Sequence, residues 1–95
     1  MLVAVSHLGL GDDLVVGEKA PGVDVIFGGH SHTAMFMPEK AGDTIVVQAG
    51  SYGGFAARFD MEVDLTTRKI TDTKYVLNPV TPALPSADAT DQAIA

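Results

Sequence analysis

The feature that most constrains the fold is a pair of short apolar runs separated by one short helical pattern. The first run covers residues 2–6 and the second covers residues 23–27. Apolar, β-branched runs of this length are typical of strands buried in a sheet. A strand, a helix and a strand within about thirty residues form a βαβ unit, whose strands are parallel and whose crossover is right-handed. The sequence therefore predicts an α/β fold.

The helix predicted between the two strands is short. Asp12 and Asp13 are interpreted as its N-terminal cap, residues 14–20 as one or two turns, and Pro21–Gly22 as its end. Gly17 lies inside the helix and lowers its intrinsic propensity. A crossover of this kind returns the chain to the start of the second strand. The carboxyl ends of the two strands should therefore lie side by side.

All three histidines of the chain directly follow these strands. His7 comes after the first strand, and His30 and His32 come after the second, in Gly-Gly-His-Ser-His. Neutral imidazole is the commonest protein ligand for transition metals, and open α/β folds bind ligands at the carboxyl edge of the sheet. The sequence predicts a metal site at this edge, where Gly28 and Gly29 would let the backbone turn sharply.

Each of these candidate residues also has a simpler structural explanation. A single histidine at a strand end is more often structural than a ligand, so the metal prediction depends on the convergence of all three. A two-metal site also needs further ligands and a bridging carboxylate. The chain offers no clear bridge, because Asp12 and Asp13 are interpreted as a helix cap and Asp24 as a strand-edge residue. Gln48 is interpreted as hydrogen bonding at the edge of the core in preference to binding a metal, and Tyr52 as packing within its loop in preference to stacking on a substrate.

After the histidines the pattern becomes that of an antiparallel sheet. Met35–Met37 predicts a short edge strand, and residues 44–49 predict a third apolar strand. Residues 55–65 alternate between apolar and mostly acidic side chains, which is typical of a half-solvated antiparallel strand. Residues 70–77 would return as the hairpin partner. The whole pattern is a βαβ unit followed by antiparallel strands, as in a fragment of an α+β sandwich.

The last part of the chain predicts a connection to another domain. Residues 78–85 carry three prolines and predict an extended linker, and residues 86–88 could cap a helix over 89–94. A parallel strand pair is normally the interior of a larger covered sheet. We therefore expect a piece of a longer protein, in which residues 1–78 belong to one domain and residues 79–95 lead to the next.

Composition argues against several classes of protein. The net charge is −6 and the six Lys and Arg residues are scattered, which disfavours a nucleic-acid polymer as partner. The absence of cysteine excludes disulfides and thiolate metal sites within the chain. No apolar run approaches the length of a membrane span. Residues 1–6 lack the basic start and the length of a signal peptide.

Three segments of the chain resemble the calcineurin-like metallophosphoesterases. They are Val3–Gly9, Pro21–Thr33 and Val46–Gly53, and the likeness extends from about residue 2 to residue 92. It is to the branch that contains the 5'-nucleotidases, the UDP-sugar hydrolases and the 2',3'-cyclic nucleotide phosphodiesterases. The order and spacing of Ser-His-x-Gly and Gly-Gly-His-Ser-His are specific to that branch.

The resemblance implies a four-layer α/β/β/α domain with two divalent metal ions, which could be Mn, Zn, Fe, Co or Mg. His7 and His30 would bind one ion and His32 the other. In such a phosphoesterase a metal-bound hydroxide attacks the phosphorus of a nucleotide. Residues 1–78 would form the C-terminal half of this catalytic domain, and residues 79–95 would lead to a C-terminal substrate-binding domain. The family also implies a periplasmic, secreted or cell-surface protein that takes part in nucleotide catabolism.

The chain departs from the family pattern because it lacks the upstream motifs Asp-x-His, Gly-Asp-x-x and Gly-Asn-His-Asp/Glu. These would supply the remaining ligands, the bridging Asp and the catalytic His. We therefore expect no catalytic residue in this chain, no activity from it alone, and an N-terminal half and a C-terminal domain of the same protein as its partners. Nucleoside monophosphates, nucleotide sugars, cyclic nucleotides and a sulfur ester all remain open as substrates.

A second hypothesis is a non-catalytic, β-rich binding or assembly module that keeps only a vestigial metal site. The two hypotheses differ in the flanking coding sequence. A phosphoesterase requires the upstream Asp and Asn/His motifs in the same gene, whereas an assembly module does not.

Overall fold

Helices and strands alternate in the first part of the chain, and a long hairpin follows. A computed structural model describes residues 1–94. It confirms the mixed α/β fold, with a parallel βαβ unit followed by antiparallel strands. In chain order the elements are β1 (Val3–Val5), α1 (Leu10–Lys19), β2 (Val25–Gly28), β3 (Glu39–Ala41), β4 (Thr44–Gln48), β5 (Phe55–Asp64), β6 (Lys69–Pro79) and α2 (Asp88–Ile94). Neither helix in this range is long and apolar enough to cross a membrane.

A four-stranded sheet with the order β1-β2-β4-β3 forms the centre of the structure. Strands β1, β2 and β4 are parallel, with Val3 opposite Val25 and Val25 opposite Ile45, and β3 is antiparallel to β4. Strand β1 lies at one edge of the sheet, where Val5 is 88% exposed. The parallel pairing brings the carboxyl ends of β1 and β2 together, as the βαβ pattern predicts.

The two faces of this sheet bury two different apolar clusters, because successive strand residues point to opposite faces. Helix α1 covers one face, and the β5–β6 hairpin covers the other. The helix side buries Ile26, Ala41 and Val46, surrounded by Ala4, Leu10, Leu14, Val16 and Val23. The hairpin side buries Val25, Ile45 and Val47, surrounded by Phe27, Phe59, Met61, Ile70 and Tyr75. The chain thus forms three layers: helix, sheet and hairpin.

The β5–β6 hairpin confirms the alternating pattern predicted for residues 55–65 at Phe59, Met61 and Val63, but not at Ala57 and Leu65, which are exposed. Leu65 follows the end of β5 and is 89% exposed, because the chain turns there. Tyr75 fixes the hairpin to the rest of the molecule, since its hydroxyl donates a hydrogen bond of 2.7 Å to the Met35 backbone oxygen. Burial raises the pKa of the Tyr75 phenol, which favours the protonated donor that this bond needs.

Helix α1 begins earlier than the sequence predicts, and the proposed cap is wrong. The helix starts at Leu10 after Gly9, whose φ of 99° is left-handed, and no side chain caps it at that position. The Leu10 backbone N–H instead donates to Ser31 Oγ at 3.0 Å, so a distant loop satisfies the first free amide. Asp12 and Asp13 lie within the first turn rather than before it.

The predicted edge strand Met35–Met37 is also wrong. The Met35 N–H donates to the Gln48 backbone oxygen at 3.1 Å, but Phe36 and Met37 then leave the sheet and are 68% and 75% exposed. The edge strand is β3, which begins just after Pro38. A proline cannot donate to a ladder, so pairing resumes only beyond it.

The hairpin is longer than predicted at its C-terminal end. Strand β6 continues through Pro79, which lies opposite Phe55, so the first proline of the predicted linker belongs to the sheet. Proline is tolerated there because both strands of a two-stranded sheet are edges. The helix predicted near the end of the chain is present as α2.

The fit between helix α1 and the β3–β4 hairpin generates a prediction. A Cβ atom on Gly17 would lie 2.7 Å from Ala41 Cβ and 3.2 Å from Thr44 Cβ, whereas one on Gly11 would meet nothing within 4 Å. We expect Gly17→Ala to lower the free energy of unfolding by about 1–3 kcal/mol through overpacking. Gly11→Ala should raise it by up to about 1 kcal/mol through helix propensity. Urea unfolding of both variants would check this, and equal stabilisation would contradict the packing described here.

Candidate metal centre

The structure places His7 and His30 next to each other at the carboxyl edge of the parallel sheet. The Ser6 N–H still bonds to the Phe27 backbone oxygen at 2.9 Å, so His7 is the first residue beyond the β1–β2 ladder. His30 follows Gly28, the last residue of β2, by two positions. The two imidazole ring centroids are 5.1 Å apart with an angle of 72° between the rings.

Two glycines make room for this pair of rings. A Cβ atom on Gly29 would lie 2.9 Å from His7 Nδ1, which is closer than real contacts allow. A Cβ atom on Gly9 would lie 3.6 Å from His30 Cδ2, in ordinary contact, but the φ of 99° at Gly9 disfavours any side chain there. Of these two glycines, Gly29 is the one whose missing side chain lets the His7 ring approach the loop backbone.

The loop that carries His30 and His32 has an uncommon backbone conformation. His30 has a φ of 70° and His32 a φ of 56°, both in the left-handed region. Non-glycine residues in this region are uncommon, and such strain costs about 1–3 kcal/mol per residue. It persists only where surrounding contacts hold the loop in place.

Gln48 provides those contacts. Its side chain is 2% exposed at the end of β4. Gln48 Oε1 accepts hydrogen bonds from the Thr33 N–H at 2.7 Å and from Ser31 Oγ at 3.1 Å, and Gln48 Nε2 donates to the Gly29 backbone oxygen at 3.0 Å. The interpretation of Gln48 as a hydrogen-bonding residue is confirmed, and its partners are the histidine loop itself.

His32 is not part of the His7–His30 pair. Its ring lies against Tyr52, with centroids 5.1 Å apart and an interplanar angle of 75°. The interpretation of Tyr52 as a residue packed within its loop is wrong, because Tyr52 is 95% exposed. No three His, Asp or Glu side chains within residues 1–94 are grouped closely enough to hold a metal ion. The metal roles of all three histidines therefore remain a prediction.

Asp13 is the residue near this site that sequence reasoning misjudged. It is 0% exposed, and neither carboxylate oxygen has a hydrogen-bond partner among the described residues. The helical period indicates the burial of Asp13. This residue follows Leu10 by three positions and precedes Gly17 by four, so all three lie on the helix face that packs on the sheet. A position on that inner face is buried, whatever its side chain.

The chemistry of these groups fits a cation. Two imidazole rings lie side by side, a glycine leaves space at His7, and a buried carboxyl group without a hydrogen-bond partner among the described residues lies behind the loop. A transition-metal ion in a protein takes about four or more ligands. The pair can therefore supply part of a coordination shell, and other groups must complete it.

Several known proteins are similar to this chain, although no family model matches it. Trifunctional nucleotide phosphoesterase protein YfkN of Bacillus subtilis (strain 168) is 39% identical over 66 residues, which are 66% of this chain and 4% of YfkN. Metallophosphoesterase YunD of the same organism is 31% identical over 74% of this chain and 15% of YunD. Protein 5NUC of Lutzomyia longipalpis is 47% identical over 38% of this chain and 6% of its own length.

A solved structure has the same fold. The sulfate thiohydrolase SoxB of Thermus thermophilus superimposes with a TM-score of 0.81 over 96% of this chain, at 25% identity. These similarities support the resemblance to the 5'-nucleotidase branch of the calcineurin-like metallophosphoesterases. The chain spans only 4–15% of the length of the relatives that it matches, and 17% of SoxB.

The role of Gln48 in holding the histidine loop can be tested directly. Gln48→Leu removes three hydrogen bonds and leaves the Thr33 N–H without a partner, whereas the Gly29 carbonyl keeps the hydrogen bond from the Ser31 N–H. We expect the free energy of unfolding to fall by about 1–3 kcal/mol. Hydrogen exchange of the Thr33 amide should accelerate in the folded state.

The matched control for this prediction is Asn78→Ala. Asn78 also donates to a backbone oxygen, that of Ala56, but at 3.4 Å and on an exposed strand. The Asn78→Ala substitution should change the free energy of unfolding by less than about 0.5 kcal/mol. An unchanged Thr33 exchange rate in Gln48→Leu would show that the histidine loop holds its conformation without the amide.

Proposed function

We propose that this chain supplies one side of a two-metal centre in a phosphoesterase that hydrolyses nucleotides. The adjacency of His7 and His30 at the carboxyl ends of two parallel strands carries the proposal. The printed names of the relatives support it further, since one is a trifunctional nucleotide phosphoesterase and another a metallophosphoesterase.

The three histidines would divide between the two ions. His7 and His30 would bind one divalent ion, and His32, two residues further along the same loop, would bind the other. Bound metal ions polarise a phosphoester and make water a better nucleophile at neutral pH. The chain itself positions the imidazoles. Gly29 leaves space for the His7 ring, and Gln48 fixes the loop that carries His30.

The proposal extends to the whole protein. Residues 1–78 would complete a catalytic domain whose N-terminal half provides the bridging carboxylate and the catalytic histidine. Residues 79–95 would lead to a substrate-binding domain. Such an enzyme would act on nucleotides in the periplasm or outside the cell. The small share of each relative that the chain spans supports this arrangement.

Metal binding by the histidine pair is the experiment that tests the proposal. We expect addition of Zn²⁺ or Mn²⁺ to perturb the imidazole NMR signals of His7 and His30 together, because both rings would bind one ion. His7→Ala should remove the response of His30, and His30→Ala that of His7. Tyr52→Phe, which keeps the aromatic neighbour of His32, serves as the control and should respond as the wild type does.

Independent responses of the two rings, or none, would contradict the shared site. The alternative of a β-rich assembly module with only a vestigial site would then be favoured. Far-UV circular dichroism of each variant would show that the sheet is retained.

We also expect the isolated chain to be inactive. It contains the three histidines but none of the upstream family motifs that supply a bridging Asp and a catalytic His. Hydrolysis of AMP or p-nitrophenyl phosphate with added Mn²⁺ or Zn²⁺ should not exceed background. Metal-dependent turnover that is lost in His30→Ala, purified in the same way, would show that this chain is catalytic by itself.

A further inference from the structure

The buried carboxylate of Asp13 has no role in the ligand set described above. It is fully buried in the first turn of α1, and neither of its oxygens is hydrogen-bonded to any described residue. Buried carboxylates in proteins are normally paired or hydrogen-bonded, because leaving them unpaired is expensive. An unpaired group at this position therefore calls for a functional explanation.

The carboxylate occupies a niche formed by a missing side chain. A Cβ atom on Gly28 would overlap Asp13 Oδ2 and would lie 3.3 Å from Gln48 Nε2. Any other residue at Gly28 would displace the carboxylate. The next residue, Gly29, makes the corresponding space for His7. Two adjacent glycines thus let the Asp13 carboxyl group and the His7 imidazole, a candidate metal ligand, approach neighbouring peptide units at the end of β2.

We infer that Asp13 is the buried counter-charge of the cation site formed by His7 and His30. It acts as a positioning residue that does not touch the ion. This inference rests on the proposed function. A charge enclosed by protein interacts with a nearby cation more strongly than an exposed charge does, because water screens it less. The first turn of a helix also favours negative charge, which helps α1 tolerate the carboxylate.

The burial of the Asp13 carboxylate also lowers the free energy of unfolding of the metal-free chain. Without a cation, the burial of Asp13 is a cost that no hydrogen bond within residues 1–94 offsets. With a cation at the histidine pair, the attraction between the two charges recovers part of that cost. Removal of the charge should therefore weaken metal binding and leave the metal-free fold as stable as before or more stable. A purely structural role predicts a loss of stability instead.

The test compares Asp13→Asn with Asp12→Asn in the whole 95-residue chain. Asp12 is the exposed neighbour on the same helical turn, so both substitutions remove one negative charge, but only one is buried. Calorimetric titration with CoCl₂ measures cation affinity, and urea unfolding without metal measures stability. We expect Asp13→Asn to weaken Co²⁺ binding tenfold or more, as is common when partners behind metal ligands are altered. Asp12→Asn should change it less than about twofold, since exposed charges are screened.

The outcomes separate this inference from the proposed function. Equal Co²⁺ affinities of Asp13→Asn and Asp12→Asn would overturn the counter-charge while leaving the histidine site in place. An Asp13→Asn chain that unfolds at lower urea than the wild type, or fails to fold, would show a structural role and also overturn it. Wild-type affinity that survives His30→Ala would overturn the metal site itself, and the inference with it.

Discussion

The structure depends on the parallel pairing of β2 with strands on both of its sides. Val25 is paired with β1 through Val3 and with β4 through Ile45, and it is completely buried. Because neighbouring residues of β2 face opposite sides of the sheet, Val25 belongs to the core beneath the hairpin and Ile26 to the core beneath α1. The same pairing sets which edge of the sheet carries the histidines.

The histidine loop is held by its surroundings rather than by its own sequence. Left-handed backbone at His30 and His32 is unfavourable for these residue types. The Gln48 amide, at the end of a buried strand, fixes the loop through a backbone N–H and a backbone carbonyl. The Ser31 hydroxyl bonds both Gln48 and the first amide of α1. Sheet, loop and helix are therefore joined at the point where a metal would bind.

Much of this arrangement could be predicted from the sequence, because it follows from local pattern. The buried strands are apolar runs, and histidines that follow parallel strands must meet at one edge. Strand β3 could not be predicted in this way, since Glu39 and Lys40 are polar edge residues without an apolar signal. The left-handed conformation at His30 depends on Gln48, which is distant in sequence. From the sequence, Asp13 is expected to cap the helix, because acidic residues near a helix start usually have that role. Only the packing of α1 on the sheet shows that its side chain is buried.

The open edge of the sheet has a thermodynamic consequence. His7 directly follows β1, and β1 is hydrogen-bonded within residues 1–94 to β2 alone. Any strand that pairs with the free side of β1 would also restrict the backbone from which the His7 ring projects. Strand pairing and cation binding would then be linked reactions, in which each raises the affinity of the other by the same factor. For the proposed metal centre, completion of the sheet and loading of the metal would be coupled steps of one assembly process.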